Sequence, residues 1–376
     1  MILQLDTYLI MVTVQIRGES MLDIKFIENK NLKEKPTDES HLGFGQIFTD
    51  YMFCMDYDEG QGWHDARIEP YAPFSLDPST NVLHYAQEIF EGMKAYRTAD
   101  NKIQLFRPDC NAERFKNSAE RMCMPPVPED DFIQACKEIT KVEKDWVPHN
   151  EGTSLYLRPF MIATGLGLGV HASKSYRFCI IVSPSGAYYA NGMAPVKIYV
   201  EDDYIRTAPG LTGFAKCGGN YAASIRSGEI AAKLGYDQVL WLDGIHHKYV
   251  EEVGSMNMFF KMDGKLWTAP CQGTVLPGVT RRSVITLAKE MGLEVKEEYF
   301  TVDDVMKHAH EGKLEEAFGS GTAAVISPVG TLTNAGDTVV INNAEIGPVS
   351  QALYDKLTDI QWGRTDEHSD WQVVVA

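Results

Sequence analysis

Apolar and polar positions along the chain follow two rhythms. Alternating or continuous apolar runs predict strands over 47–57 (IFTDYMFCMDY), 102–108 (KIQLFRP), 154–164 (SLYLRPFMIAT) and 175–184 (SYRFCIIVSP). A helical period predicts a helix over 112–124, where Phe115, Ala119 and Met122 share a face. A second is predicted over 130–147, with Phe132, Cys136 and Ile139 inward. Further on, strands are predicted over 195–206 and 237–244, and a helix over 221–235 that ends at Gly235. The stretch 255–270 reads as a hairpin turned at Asp263 and Gly264, and 280–292 as a helix capped by Gly292. Residues 315–330 read as strand, glycine turn, strand.

Two stretches lack either rhythm. Residues 29–40 (NKNLKEKPTDES) are polar and read as a mobile approach, and 183–195 (SPSGAYYANGMAP) reads as an interdomain linker. The expected organisation is an N-terminal extension over 1–40, a small N-terminal domain over 41–182, the linker over 183–195 and a large C-terminal domain over 196–376. Both halves mix strands and helices, so the expected class is α/β (α+β), with two domains meeting at a cleft suited to a small molecule. A length of 376 residues fits two domains of roughly 150 or more each.

Charge narrows the function classes. With 35 Lys and Arg against 52 Asp and Glu, the net charge of −17 opposes a nucleic-acid partner, which is met with basic side chains. No apolar run reaches the ~18 residues that a membrane span needs. The apolar stretch near the start follows Asp6 and lacks a basic flank, so it is a poor signal peptide; Met21 opens a more typical polar start. Residues 1–20 therefore read as a start-codon artefact or a loose extension. Seven scattered cysteines, never spaced C-x-x-C, argue against a disulfide framework or a zinc site. They fit a reducing, cytoplasmic setting, and no metal site is expected.

Three segments carry candidate chemistry. In GFAKCGGNYAAS (213–224), Lys216 lies among small and apolar residues, with Tyr221 five residues on. Burial would favour its neutral amine, which suits a Schiff-base nucleophile; a turn whose lysine reaches water is the bland reading. In YVEEVGSMN (249–257), two carboxylates enter an apolar run, and a buried Glu252 would need a partner such as a protonated pyridine nitrogen. LPGVTRR (276–282) places backbone amides at a helix start, and GSGT (319–322) offers a glycine turn with a hydroxyl. Both suit a phosphate, and Arg114 in NAERF could add a charge-assisted contact.

Together these segments resemble the branched-chain amino acid aminotransferases, two-domain enzymes of pyridoxal 5′-phosphate (PLP) fold type IV, the D-amino acid aminotransferase-like fold. The motifs are FGQIFTDYM (44–52), LHYAQEIFEGMKAYR (83–97), SLYLRP (154–159), KCGGNY (216–221), EVGSMN (252–257), LPGVTRRS (276–283) and FGSGTAA (318–324). The resemblance runs from about Gly43 to near the C-terminus. It implies a ping-pong transfer of the amino group of Leu, Ile or Val to 2-oxoglutarate, in branched-chain amino acid metabolism in the cytoplasm. Lys216 would hold PLP covalently and then move the substrate proton. Glu252 would pair with the pyridine nitrogen and Tyr221 with the phenolic oxygen. Arg114, the amides of Val279 and Thr280, and Thr322 would hold the phosphate. Ser255 and the Ala323 amide would contact the cofactor side and the substrate carboxylate.

The resemblance further implies a substrate wall of Phe44, Tyr85, Phe90 and Tyr156, with Arg158 for the distal carboxylate of glutamate. Leu168 and Val170, in GLGLGVH, match a loop that reaches a partner subunit's site, which implies a homodimer. Ser255 stands where Thr is frequent in the family, and the hydroxyl is kept. Where one branch of the family carries a redox C-x-x-C, this chain has Ala324 and Ser327, so no thiol switch is expected there. The rivals are a D-amino acid transaminase or aminodeoxychorismate lyase of the same fold, and a non-catalytic protein that kept the fold.

Overall fold

The computed structural model describes residues 21–186 and 193–376. Residues 1–20 of the expected extension and 187–192 of the expected linker lie outside the described residues. The strands of the first half are β1 (Lys25–Phe26), β2 (Tyr51–Asp58), β3 (Gly62–Pro70), β4 (Glu88–Phe90), β5 (Met93–Arg97), β6 (Ile103–Phe106), β7 (Ser154–Ala163) and β8 (Ser175–Ser185). Helices α1 (Asn81–Tyr85), α2 (Pro108–Arg121) and α3 (Glu129–Val142) interleave with them. The second half holds β9 (Val196–Val200), β10 (Gln238–Leu242), β11 (Val250–Val253), β12 (Met256–Met262), β13 (Lys265–Thr268), β14 (Val295–Glu297), β15 (Leu314–Gly321), β16 (Val325–Asn334) and β17 (Asp337–Val340). Its helices are α4 (Gly218–Lys233), α5 (Val279–Glu290), α6 (Val302–His310) and α7 (Pro348–Gln361), and the chain ends near β18 (Gln372–Val374).

Two mixed sheets result. The first runs β1-β3-β2-β8-β7-β5-β6-β18, with β4 against β7. The second runs β11-β10-β9-β16-β15-β12-β13-β14, and a further β11–β12 pairing closes six of its strands into a ring. That closure sets Glu252 opposite Asn257. The α2 and α3 faces behave as their periods predict: Phe115, Ala119, Phe132, Cys136 and Ile139 all enter the first core beside Phe53 and Phe178. Met122 packs against it only partly buried. The hairpin turns at Asp263 and Gly264 between β12 and β13 as predicted.

Three expectations are corrected. The strand predicted over 195–206 stops at Val200, because Glu201 Oε1 accepts from the amides of Asp203 (2.9 Å) and Tyr204 (3.1 Å) and folds the chain into a turn. The last strand does not stay with the second sheet, as a C-terminal domain over 196–376 would have it; β18 pairs antiparallel with β6 of the first. The approach over 29–40 is tied down, with Lys33 donating to Asp50, Phe48 and Thr49. A further cluster joins the two halves: Tyr96 and Phe106 of the first sheet pack with Phe259 and Phe318 of the second, Val284 of α5 and Leu353 of α7. Among the described residues no helix is long and apolar enough to cross a membrane.

Candidate active site

A cavity of about 160 Å³ lies between the sheets. Phe90 on β4, Tyr156 and Arg158 on β7, and Phe44 ahead of β2 form one wall. Tyr156 and Arg158 are two residues apart on a strand and so share a face. The Arg158 guanidinium lies 4.8 Å from the Phe90 ring and its Nη2 donates to the Tyr156 hydroxyl at 3.3 Å. Phe44 meets Tyr156 edge-on at 4.9 Å. Gly92 is required here, since a Cβ would stand 2.0 Å from the Tyr156 hydroxyl.

Lys216 enters from the loop before α4. Its Nζ donates to the Tyr221 hydroxyl at 2.6 Å and lies 4.8 Å from the centre of the Phe90 ring, so the side chain turns into the cleft and not into bulk water. It is half-buried, less enclosed than its apolar neighbours led us to expect. The backbone around it is clamped: Phe90 N–H donates to the Lys216 carbonyl at 3.0 Å, and Lys216 N–H donates to Ser118 Oγ at 2.9 Å.

The opposite end is built for an anion. Val279 and Thr280 open α5, whose first amides have no side-chain cap, and both line the cavity with Ser255, Thr322 and Ala323. Arg114 of α2 lines it too, held by Glu91 through two hydrogen bonds of 2.7 and 2.8 Å and by the Pro277 carbonyl at 3.1 Å. Burial alone would raise the Glu91 carboxyl; Arg114 and Asn111 hold it below the usual range.

Glu252 sits beneath, 3% exposed, lining a small recess shared with Tyr221 and Ser255. Its Oε1 accepts from Leu276 N–H at 2.7 Å, and Arg206 Nε stands 3.2 Å from Oε2, a charge contact and not an aligned hydrogen bond. Burial pushes the Glu252 carboxyl up, while Arg206 and the Leu276 amide pull it back. Glu251 is buried as well, and desolvation pushes it up to about 7.

Three predicted residues are elsewhere. Tyr85 is no part of this cavity's wall: the αL conformation of Ala86 ends α1 there, and the Tyr85 hydroxyl donates to the Leu168 carbonyl. Leu168 and Val170 are exposed, at 68% and 83%. Sequence reasoning missed Glu91, Lys94 and Arg206. The first two are charges inside the apolar run IFEGMKAY, the criterion that singled out Lys216; Arg206 follows an acidic stretch and carries no such signal.

Comparison with known proteins decides the family. The profile described as "Amino-transferase class IV" matches residues 88–332, well over half of the chain. The chain belongs to the class IV aminotransferases. It is 54% identical over 344 residues to "Branched-chain-amino-acid transaminase 1" of Bacillus subtilis (strain 168), covering 91% of this chain and 96% of that one. Among solved structures it matches the Escherichia coli branched-chain amino acid aminotransferase with a TM-score of 0.73 at 27% identity, covering 87% of this chain and 99% of that one. It also matches the T.th. branched-chain amino acid aminotransferase complexed with N-(5′-phosphopyridoxyl)-L-glutamate, with a TM-score of 0.69 at 27% identity over 86% and 98% of the two chains. These relatives place the class IV chain in the branched-chain aminotransferase family, PLP-dependent transferases of fold type IV. Its residues fit that cofactor. An amine faces the cleft, uncapped helix amides and a guanidinium meet at the anion end, and a buried acid lies below.

Proposed function

We propose that this aminotransferase moves the amino group of L-leucine, L-isoleucine or L-valine to 2-oxoglutarate in a ping-pong cycle, releasing the branched 2-oxo acid and then glutamate. The observation that carries this reading is the Lys216 amine, turned onto Tyr221 in a cleft that has an aromatic wall on one side and an anion cup on the other. PLP, when bound, supplies the carbonyl that accepts the amino group and draws electrons from the substrate's Cα.

This chain's own residues do the rest. Lys216 Nζ anchors the cofactor and, once freed by the incoming amino acid, takes the proton from Cα. Tyr221 holds the phenolic oxygen. Arg114, the amides of Val279 and Thr280, and Thr322 hold the phosphate, as unfilled helix amides and a guanidinium suit. Glu252 holds the ring nitrogen's proton; a carboxyl raised by burial yet kept in charge contact with Arg206 is suited to sharing it. Ser255 contacts the cofactor side and the Ala323 amide takes the substrate's α-carboxylate.

Phe44, Phe90 and Tyr156 select branched aliphatic side chains by contact area. One methylene in such a pocket is worth only ~1–3 kcal/mol, so all three substrates are accepted. Arg158 takes the distal carboxylate of 2-oxoglutarate. Tyr85, Leu168 and Val170 are all exposed, with the Tyr85 hydroxyl on the Leu168 carbonyl, and in our reading a cytoplasmic homodimer presents them to the partner's cleft. The T.th. complex supports the glutamate half, since its ligand joins a phosphopyridoxyl group to L-glutamate.

The test is a visible spectrum of the purified protein before and after borohydride, then peptide mapping. The expected result is a PLP chromophore that borohydride bleaches, with the label on Lys216. Lys216→Ala is expected to lose the chromophore and all transamination, and retained turnover would count against the assignment. A panel of leucine with 2-oxoglutarate, D-alanine and aminodeoxychorismate separates this reading from a D-amino acid transaminase and from a lyase.

A further inference from the structure

We propose that Lys94 is a positioning residue that presets the 322–324 turn to receive the substrate's α-carboxylate. The inference rests on the assignment of the Ala323 amide to that carboxylate, and adds the next amide of the same turn, the Ala324 N–H, as its second donor.

Lys94 lies on β5 of the first sheet, in register with Tyr156 of β7. Its side chain crosses to the other half of the molecule and Nζ donates to the Ala323 carbonyl at 2.8 Å, in the turn between β15 and β16. The residue is 6% exposed, and no acid among the described residues offsets its burial, which lowers the amine to about 8. An ammonium with one neutral acceptor is a costly thing to bury, and a well-packed apolar side chain would cost less. The arrangement makes physical sense when a second, anionic partner arrives nearby.

The peptide geometry says where. In a trans peptide the carbonyl of one residue and the N–H of the next point in opposite directions, and this chain has no described cis bond. Lys94 draws the Ala323 carbonyl into the wall, which turns the Ala324 N–H the other way. Both alanines line the cavity. A charged donor on the carbonyl also polarises that peptide and strengthens its N–H as a donor. The buried charge thus orients one amide and adds a favourable field for a carboxylate.

The alternative is a strut that merely joins the two sheets, and the two readings differ in sign. A suitable probe is 4-methylpentanoate, leucine's skeleton without its amino group, titrated calorimetrically into the PLP-loaded protein. Lys94→Met is expected to weaken binding ~10-fold or more, as loss of a charge-assisted contact does. Its melting temperature should be unchanged or higher, because a buried charge is gone. Lys94→Arg should bind within about threefold of the wild type, the charge and donor being restored.

Unaltered affinity in Lys94→Met, or a lowered melting temperature with affinity intact, would overturn the proposal and leave a strut. Should Lys94→Met fail to fold, Lys94→Gln, which keeps a donor without the charge, carries the same expectation and the same refutation. If the wild type itself ignores 4-methylpentanoate, the carboxylate assignment falls and this inference with it. Wild-type binding that the variants leave untouched sinks the inference alone.

Discussion

Arg114 reaches the anion end of the cleft only because Glu91 holds it there. Glu91 is fully buried, and it also accepts from Asn111 at 2.7 Å and from the Gly92 amide at 3.2 Å. Removing the acid strands a buried guanidinium, and breaking such a pair from one side costs about 3–5 kcal/mol. Glu91→Ala is therefore expected to lose ~3–5 kcal/mol of stability, while Glu91→Gln, which keeps an acceptor oxygen, loses less. Urea unfolding at constant m-value measures both. An alanine variant within ~1 kcal/mol of the wild type would mean that Arg114 does not depend on Glu91. The same pair explains why Arg114, read from its helix alone, looks like a surface residue: its partner lies 23 positions back, on another element.

At the scale of elements, β4 is a clamp three residues long. Phe90 N–H binds the Lys216 carbonyl, and the Glu88 carboxylate accepts from Gly218 N–H, the first amide of α4. A Cβ on Gly218 would meet Glu88 Oε1 at 2.1 Å, so Gly218→Ala must displace the Glu88 carboxylate and break its bond to the Gly218 N–H, one of the two ties of the clamp. We expect kcat to fall ~10-fold or more as Lys216 shifts, with a smaller change in stability, since sub-ångström placement governs catalysis more than folding. Unchanged kcat would show that Lys216 is positioned without β4. That clamp also explains what the sequence hid. Elements with their own period, such as α2, α3, α5 and the β12–β13 hairpin, were legible because local pattern alone specifies them. The α4 start at Gly218, earlier than Tyr221, depends on a carboxylate 130 residues away. The two-residue β1 exists only by its parallel pairing with β3, and β18 only by its return to β6. In the site, Lys216 and Glu252 stood out as charges in apolar runs. Tyr85 came from the resemblance alone, and no local pattern tells that the αL residue Ala86 ends its helix and turns the hydroxyl to the Leu168 carbonyl, outside the cavity of its own protomer.

Taken as a whole, the molecule carries a charge of −17 and yet buries acids that favour their protonated form, so its stability must depend on pH well above the usual carboxylate range. Glu143 is the clearest case. It ends α3, is 2% exposed, and accepts from Tyr51 N–H at 2.5 Å. Burial pushes it up to about 7; the Thr49 hydroxyl, the Tyr51 amide and Lys35 resist, and the neighbouring Asp50 adds to the rise. In the unfolded chain the group returns to about 4.5. The folded state therefore binds more protons than the unfolded state between those values. Its contribution is fully present below about 4.5, is lost as pH rises, and is gone above about 7, a swing on the order of 3 kcal/mol. Glu143→Gln keeps an acceptor for Tyr51 N–H and cannot ionise. Relative to the wild type it should be more stable at pH 8 than at pH 5, by up to ~3 kcal/mol. Parallel urea titrations of the two proteins at both pH values measure that gap directly, because the other acids, Glu251 included, titrate alike in each and cancel. A gap that stays constant from pH 5 to pH 8 would mean that Glu143 is ionised throughout and that the junction of the 29–40 approach, α3 and β2 is held by charge, not by a shared proton.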